Sequence, residues 1–206
     1  MMEIQDLKRY FGALEVPVEL KDLIEFEKNI LGDNLHLPGY KYSEGFELYL
    51  SAAEFSPADT KGFSISTGLR TCSEDPNFLA GLIEFAQADG TGSFYAFWVG
   101  DYLEQSLSQV PIAVFGSEGG FHIVAENIRG LLQILTLDVE PMVDFERVYY
   151  CKDEQNEPSA GSRIYQEWLR KKYGLATVNN ADAVVANAQS KFQNQFLAWF
   201  EHYCPG

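Results

Sequence analysis

The stretch Phe85-Ala86-Gln87-Ala88-Asp89-Gly90-Thr91-Gly92-Ser93-Phe94-Tyr95-Ala96-Phe97, resumed by Pro111-Ile112-Ala113-Val114-Phe115-Gly116-Ser117-Glu118-Gly119-Gly120-Phe121-His122-Ile123-Val124-Ala125-Glu126-Asn127, decides the fold. Apolar runs of strand length alternate in it with glycine-rich punctuation. Leu82, Ile83 and Phe85 predict a short strand, and Asp89-Gly90-Thr91-Gly92 a turn whose glycines accept positive φ. Phe94 to Val99 continues as an aromatic strand, completing a hairpin. After an acidic loop with Asp101 and Glu104, the runs 111–115 and 121–124 flank Gly116-Ser117-Glu118-Gly119-Gly120 as a second strand, turn and strand. Asn127 is placed to cap a helix, because its side-chain oxygen can accept the free N–H groups of the first turn. That helix buries Ile128, Leu131, Leu132 and Leu135 on one stripe.

Outward from this block, Ile4, Leu7 and Phe11 recur at helical spacing up to Gly12. Leu20, Leu23, Ile24 and Leu31 form a second stripe between Pro17 and Gly32, so two amphipathic helices are expected to cap a sheet. Phe46, Leu48 and Leu50, then Phe63 and Ile65, recur at every second position and predict short antiparallel strands. Ser56-Pro57-Ala58-Asp59 and Ser73-Glu74-Asp75-Pro76-Asn77 read as turns and loops. Downstream, Asp138, Glu140, Asp144, Glu146, Asp153, Glu154 and Glu157 outnumber Arg147 and Lys152, giving an acidic face or connection. After Pro158-Ser159-Ala160-Gly161, helices are expected near Ser162 to Tyr173 and Ala181 to Tyr203. Val185, Ala188, Phe192, Phe196, Trp199 and Tyr203 line one side of the second and belong in a core, since leaving such groups in water forfeits about 1.5–3 kcal/mol each. The expected architecture is α+β: a mainly antiparallel mixed sheet of about five to six strands with helices packed against it, plus a C-terminal helical extension. Residues 1–157 form the domain and 158–206 the extension packed on it.

Composition narrows the functions. Thirty acidic residues against fifteen basic ones give a net charge of -15, which repels nucleic-acid phosphate and anionic lipid and attracts basic proteins. No apolar run of membrane length and no secretory leader is read in the sequence, and Cys72, Cys151 and Cys204 form no CxxC pair. Each cysteine reads as a small buried or half-buried apolar side chain in a reducing cytoplasm. G-x-S-x-G and phosphate-cradling glycine motifs are absent. His36, His122 and His202 lie far apart, so no metal or other cofactor is expected, and His122 reads as a hydrogen-bonded structural imidazole. Two carboxylates suffice for glycoside hydrolysis, so a hydrolase stays as a minor alternative. Asp89, Asp101, Glu104 and Glu118 sit in loops displayed by the sheet, where recognition residues concentrate, and are the candidate partner-binding residues.

The ordered series of strand, D-G-x-G turn, aromatic strand, Pro111-Ile112-Ala113-Val114-Phe115-Gly116 strand and final helix resembles the SUKH superfamily, which contains bacterial toxin-immunity proteins and a fungal cell-wall synthesis regulator. The resemblance covers roughly a quarter of the chain. Leu37-Pro38-Gly39-Tyr40 matches the family's L-P-x-x-Y element loosely, Gly130 weakens the last helix by about 1 kcal/mol relative to Ala, and residues 138–206 exceed the usual core. The resemblance implies a noncatalytic α+β protein that binds another protein, as an immunity protein neutralises its cognate basic toxin, with no catalytic residues. A regulatory or scaffold role that docks through the C-terminal helices is the alternative.

Overall fold

The computed structural model describes residues 11, 13–26, 47–48, 72–102, 105–151 and 161–205. The first expected helix, save Phe11, and the expected strands over 46–66, save residues 47–48, lie outside these residues.

The chain is α+β, with an antiparallel sheet at its centre. β2 (Leu82–Gln87), β3 (Phe94–Trp98), β4 (Ile112–Phe115) and β5 (Phe121–Ala125) follow one another as a meander, and the two-residue β1 (Glu47–Leu48) pairs antiparallel with β2. Successive side chains of a strand point to opposite faces. Tyr95, Phe97, Ile112 and Val114 therefore join one apolar cluster, while Phe94, Ala96, Trp98, Ala113 and Phe115 join another. A sheet apolar on both sides persists only when both faces are covered, the situation more familiar in parallel sheets. Register shifts at Phe85 and beside Ile112 insert an extra residue, so Phe85 and Ala86, like Val124 and Ala125, fall in succession on the first face.

Three helices cover that first face: α1 (Val18–Phe26), α3 (Ile128–Ile134) and α4 (Ser162–Tyr173). Asn127 caps α3 as its position predicts, its Oδ1 accepting from the N–H groups of Arg129 (3.0 Å) and Gly130 (3.2 Å). Gly130 admits close approach, since a Cβ there would lie 3.1 Å from that of Ala125 in β5. The second face is covered by α2 (Pro76–Ala80) and α5 (Asp182–Tyr203), through Phe78, Phe196 and Phe200. α5 starts with Val185 in the first cluster and continues with Ala188, Phe196 and Phe200 in the second, so it crosses the free edge of β5. Gln193 of α5 accepts a hydrogen bond from the Ile123 N–H at 2.8 Å, closing part of an edge that would otherwise template another strand.

Two expectations need correction. The acidic connection after Asp138 contains a second sheet, β6 (Met142–Val143) paired antiparallel with β7 (Val148–Tyr149). The cysteines are not three separate apolar side chains: Cys72 and Cys204 are joined as a disulfide with Cα atoms 5.5 Å apart, and Cys151 is free and exposed.

Candidate functional site

The meander brings the β2–β3 and β4–β5 turns to one end of the sheet. Asp89 organises the first. Its buried Oδ1 accepts from Thr91 N–H and Thr91 Oγ1 at 2.8 Å each and from Ser93 N–H at 3.0 Å, an aspartate bonding its own turn. The Thr91 hydroxyl proton is directed to Asp89, so at 2.7 Å Ser117 Oγ is the donor to Thr91 Oγ1, and Ser117 N–H donates to Ser93 Oγ at 3.1 Å. The turns are thus laced side by side, with Glu118 exposed at the tip of the second.

The β6–β7 hairpin docks on the same turn. His122 Nε2–H donates to the Asp144 carbonyl at 2.8 Å, the structural role expected of a buried imidazole. Gly119 and Gly120 hold φ of 110° and 81°, and a Cβ on either would collide with Phe145 or with the Asp144 carbonyl. Only glycine satisfies that backbone and that proximity together. Asp144 Oδ1 accepts the N–H groups of Glu146 and Arg147 at 2.8 Å each, and Asp144 N–H donates to the Arg147 carbonyl at 3.0 Å. The backbone donors of Arg147 and Glu146 hold the Asp144 carboxyl below the ordinary aspartate range. This fixed loop presents Phe145 with 81% of its surface exposed, beside the exposed Asp144, Glu146 and Arg147 and against the turn that carries Glu118, while Met142 of β6 is 52% exposed. Arg147 lies over the Tyr149 ring, 4.7 Å from its centroid.

The four candidate residues do not form one site. Asp89 is turned inward as the brace of its turn, and Glu118 lies at the docked end. Asp101 sits at the opposite end, its Oδ2 accepting from Gln195 Nε2 at 2.9 Å, while Gln195 Oε1 accepts from the Tyr102 hydroxyl at 2.9 Å. Partial burial and the nearby Asp101 charge raise the Tyr102 phenol. Glu104 lies outside the described residues. Phe145 and Met142 were missed by sequence reasoning, although the short apolar pairs 142–143 and 148–149 around Asp144 carry the composition of a tight hairpin.

A second polar group, beneath α1, is occupied by internal bonds. Buried Glu19 accepts from Arg129 Nε at 2.8 Å and from Ser108 Oγ at 2.7 Å; Asp22 accepts from the Tyr173 hydroxyl at 2.5 Å and pairs with Lys172 Nζ at 3.0 Å. Arg129 also lies 5.1 Å from the centroid of the Tyr173 ring. Burial, then the Asp22 carboxylate, pushes the Tyr173 phenol up, and burial does the same to the facing Tyr95 and Tyr150 hydroxyls, 3.0 Å apart. The bonds of Glu19 and Asp22 join helices to one another, and the tyrosine pair ties β3 to the residue after β7. Among the described residues no three His, Cys, Asp or Glu side chains come together as a metal site, and no helix is long and apolar enough to cross a membrane. The chain matches no protein-family model, no curated protein and no solved structure.

Proposed function

We propose that this chain is a noncatalytic protein-binding protein that neutralises a basic toxin or effector, the role its resemblance to the SUKH immunity proteins implies. The observation that carries this reading is the docked end of the sheet. Glu118, Glu146 and the exposed Asp144, whose Oδ1 caps its own turn, are displayed there on turns whose backbone is fixed by internal hydrogen bonds, while Glu19, Asp22 and Asp89 are buried or half-buried and bonded within the fold. Fixed carboxylates on a chain of net charge -15 accelerate encounter with a cationic surface and match it on contact. A basic nuclease, whose groove is built for phosphate, has the complementary chemistry.

The alternative of a scaffold docking through its C-terminal helices has less support, because Phe196 and Phe200 of α5 are buried against the sheet. The deciding test is affinity capture from native cells at low and high salt, comparing the parent protein with E118K/E146K and with D101K. A single basic partner, released by salt and lost with E118K/E146K but kept with D101K, is the expected result. Partners indifferent to salt and to both variants would overturn the reading.

A further inference from the structure

We infer that Phe145 is the apolar anchor of an interface with a cationic protein segment, seated among lysine or arginine side chains that answer Glu118, Asp144 and Glu146. The inference rests on the protein-binding reading above and names the chemistry of the partner at that site.

The phenyl ring of Phe145 is 81% exposed on a loop held by internal hydrogen bonds. Asp144 Oδ1 bonds the two residues after Phe145, His122 bonds the Asp144 carbonyl, and the ring meets Gly119. Little ordering therefore remains to be done on binding, the condition under which an aromatic side chain contributes most to affinity. The occupant follows from charge. A second copy would bring the same three carboxylates against themselves across a two-fold interface, on chains that each carry -15, and nucleic acid or anionic lipid would be repelled in the same way. A segment that mixes positive charge with an apolar side chain or pocket satisfies both the ring and its rim.

The test uses two synthetic peptides of equal length and charge, one of alternating lysine and leucine and one of alternating lysine and serine, titrated into the full chain. Isotope-resolved NMR reports the site and fluorescence anisotropy the affinity. The expected result is binding of the lysine–leucine peptide at residues 116–120 and 142–147, at least about tenfold tighter than the lysine–serine peptide, a difference that F145A erases. Circular dichroism should show F145A folded like the parent, since its ring is exposed. Equal binding of both peptides, unchanged by F145A but weakened by E118K/E146K, removes Phe145 as the anchor and leaves the wider reading standing. Binding centred at Asp101, or none by either peptide at low salt, overturns the inference; the capture experiment then decides the wider reading separately.

Discussion

Replacing Phe196 by alanine tests whether the C-terminal helix is part of the core or an attachment to it. The ring is completely buried, with centroids of Trp98, Phe121, Phe115 and Phe200 at 5.3, 5.9, 6.1 and 6.3 Å. Those neighbours come from β3, β4, β5 and α5 itself, so the hole left by the ring is walled by sheet on one side and helix on the other and collapses poorly. A buried Phe→Ala change costs about 3–5 kcal/mol, and a rigid, aromatic-lined site belongs in the upper half of that range. Against a typical total of about 5–15 kcal/mol, F196A should remain folded but lose a large share of its stability. At about 2–4 °C per kcal/mol for a chain of this size, the midpoint should fall by about 8–20 °C. Urea and thermal unfolding, followed by far-ultraviolet circular dichroism and by tryptophan fluorescence, measure it; F192A, at a half-buried position on the same helix, should cost about 1–2 kcal/mol. Residues 1–157 alone should likewise fail to fold, because Phe94, Trp98 and Phe115 would lose their cover. A loss below about 1 kcal/mol in F196A, or a cooperative melt of the truncated chain, would refute it.

Gly120→Ala should cost about 2 kcal/mol or more in unfolding experiments, since it combines a positive φ with a collision against the Asp144 carbonyl; parent-like stability would show the hairpin docked elsewhere. The lowered Asp144 carboxyl makes a stabilising contribution that is complete above the ordinary aspartate value of 3.8 and is lost as pH falls through the lower folded value. NMR titration of that carboxyl should give a midpoint below 3.8, and one at or above it would remove the capping account. Unfolded without reductant, the protein should expose one alkylatable thiol, Cys151, and after reduction three; C204S should lose about 2–4 kcal/mol, whereas three reactive thiols before reduction would deny the cross-link. Asp89→Ala should cost about 2 kcal/mol by stripping the β2–β3 turn of its acceptor, with Asp89→Asn costing less because it keeps an oxygen there; equal costs would place the effect in charge.

The elements legible in the sequence are those whose apolar pattern repeats. Strands β2 to β5 and the helices at 128–134, 162–173 and 182–203 lie where period and punctuation place them. β6 and β7 escaped because two residues per strand show no period, and their stability comes from contact with glycines more than twenty positions earlier. The disulfide escaped because a separation of 132 residues carries no local signal. The bracing role of Asp89 is partly legible, since its spacing to Thr91 and Ser93 is that of an aspartate bonding its own turn, but its burial shows only once the oxygen is placed among their N–H groups.

How the candidate site divides follows from parity in the meander. Successive connections of an antiparallel sheet alternate between its two ends, so the loops at 88–93 and 116–120 share one end and the loop at 99–111 takes the other. Residues 89 and 118 were bound to share an end, and residue 101 to leave from the far side, as soon as the strands were placed. The pattern of Phe94 to Trp98 carries a second deduction: apolar at every position, it demands cover on both faces. α1, α3 and α4 supply one cover and α2 and α5 the other, which commits the large helical stripes to the interior. The binding surface proposed above is then left to the ends of the sheet. Of the two ends, the one at Asp101 is tied to α5 through Gln195, whereas the one at Glu118 has a hairpin built on it that lifts an aromatic ring into solvent.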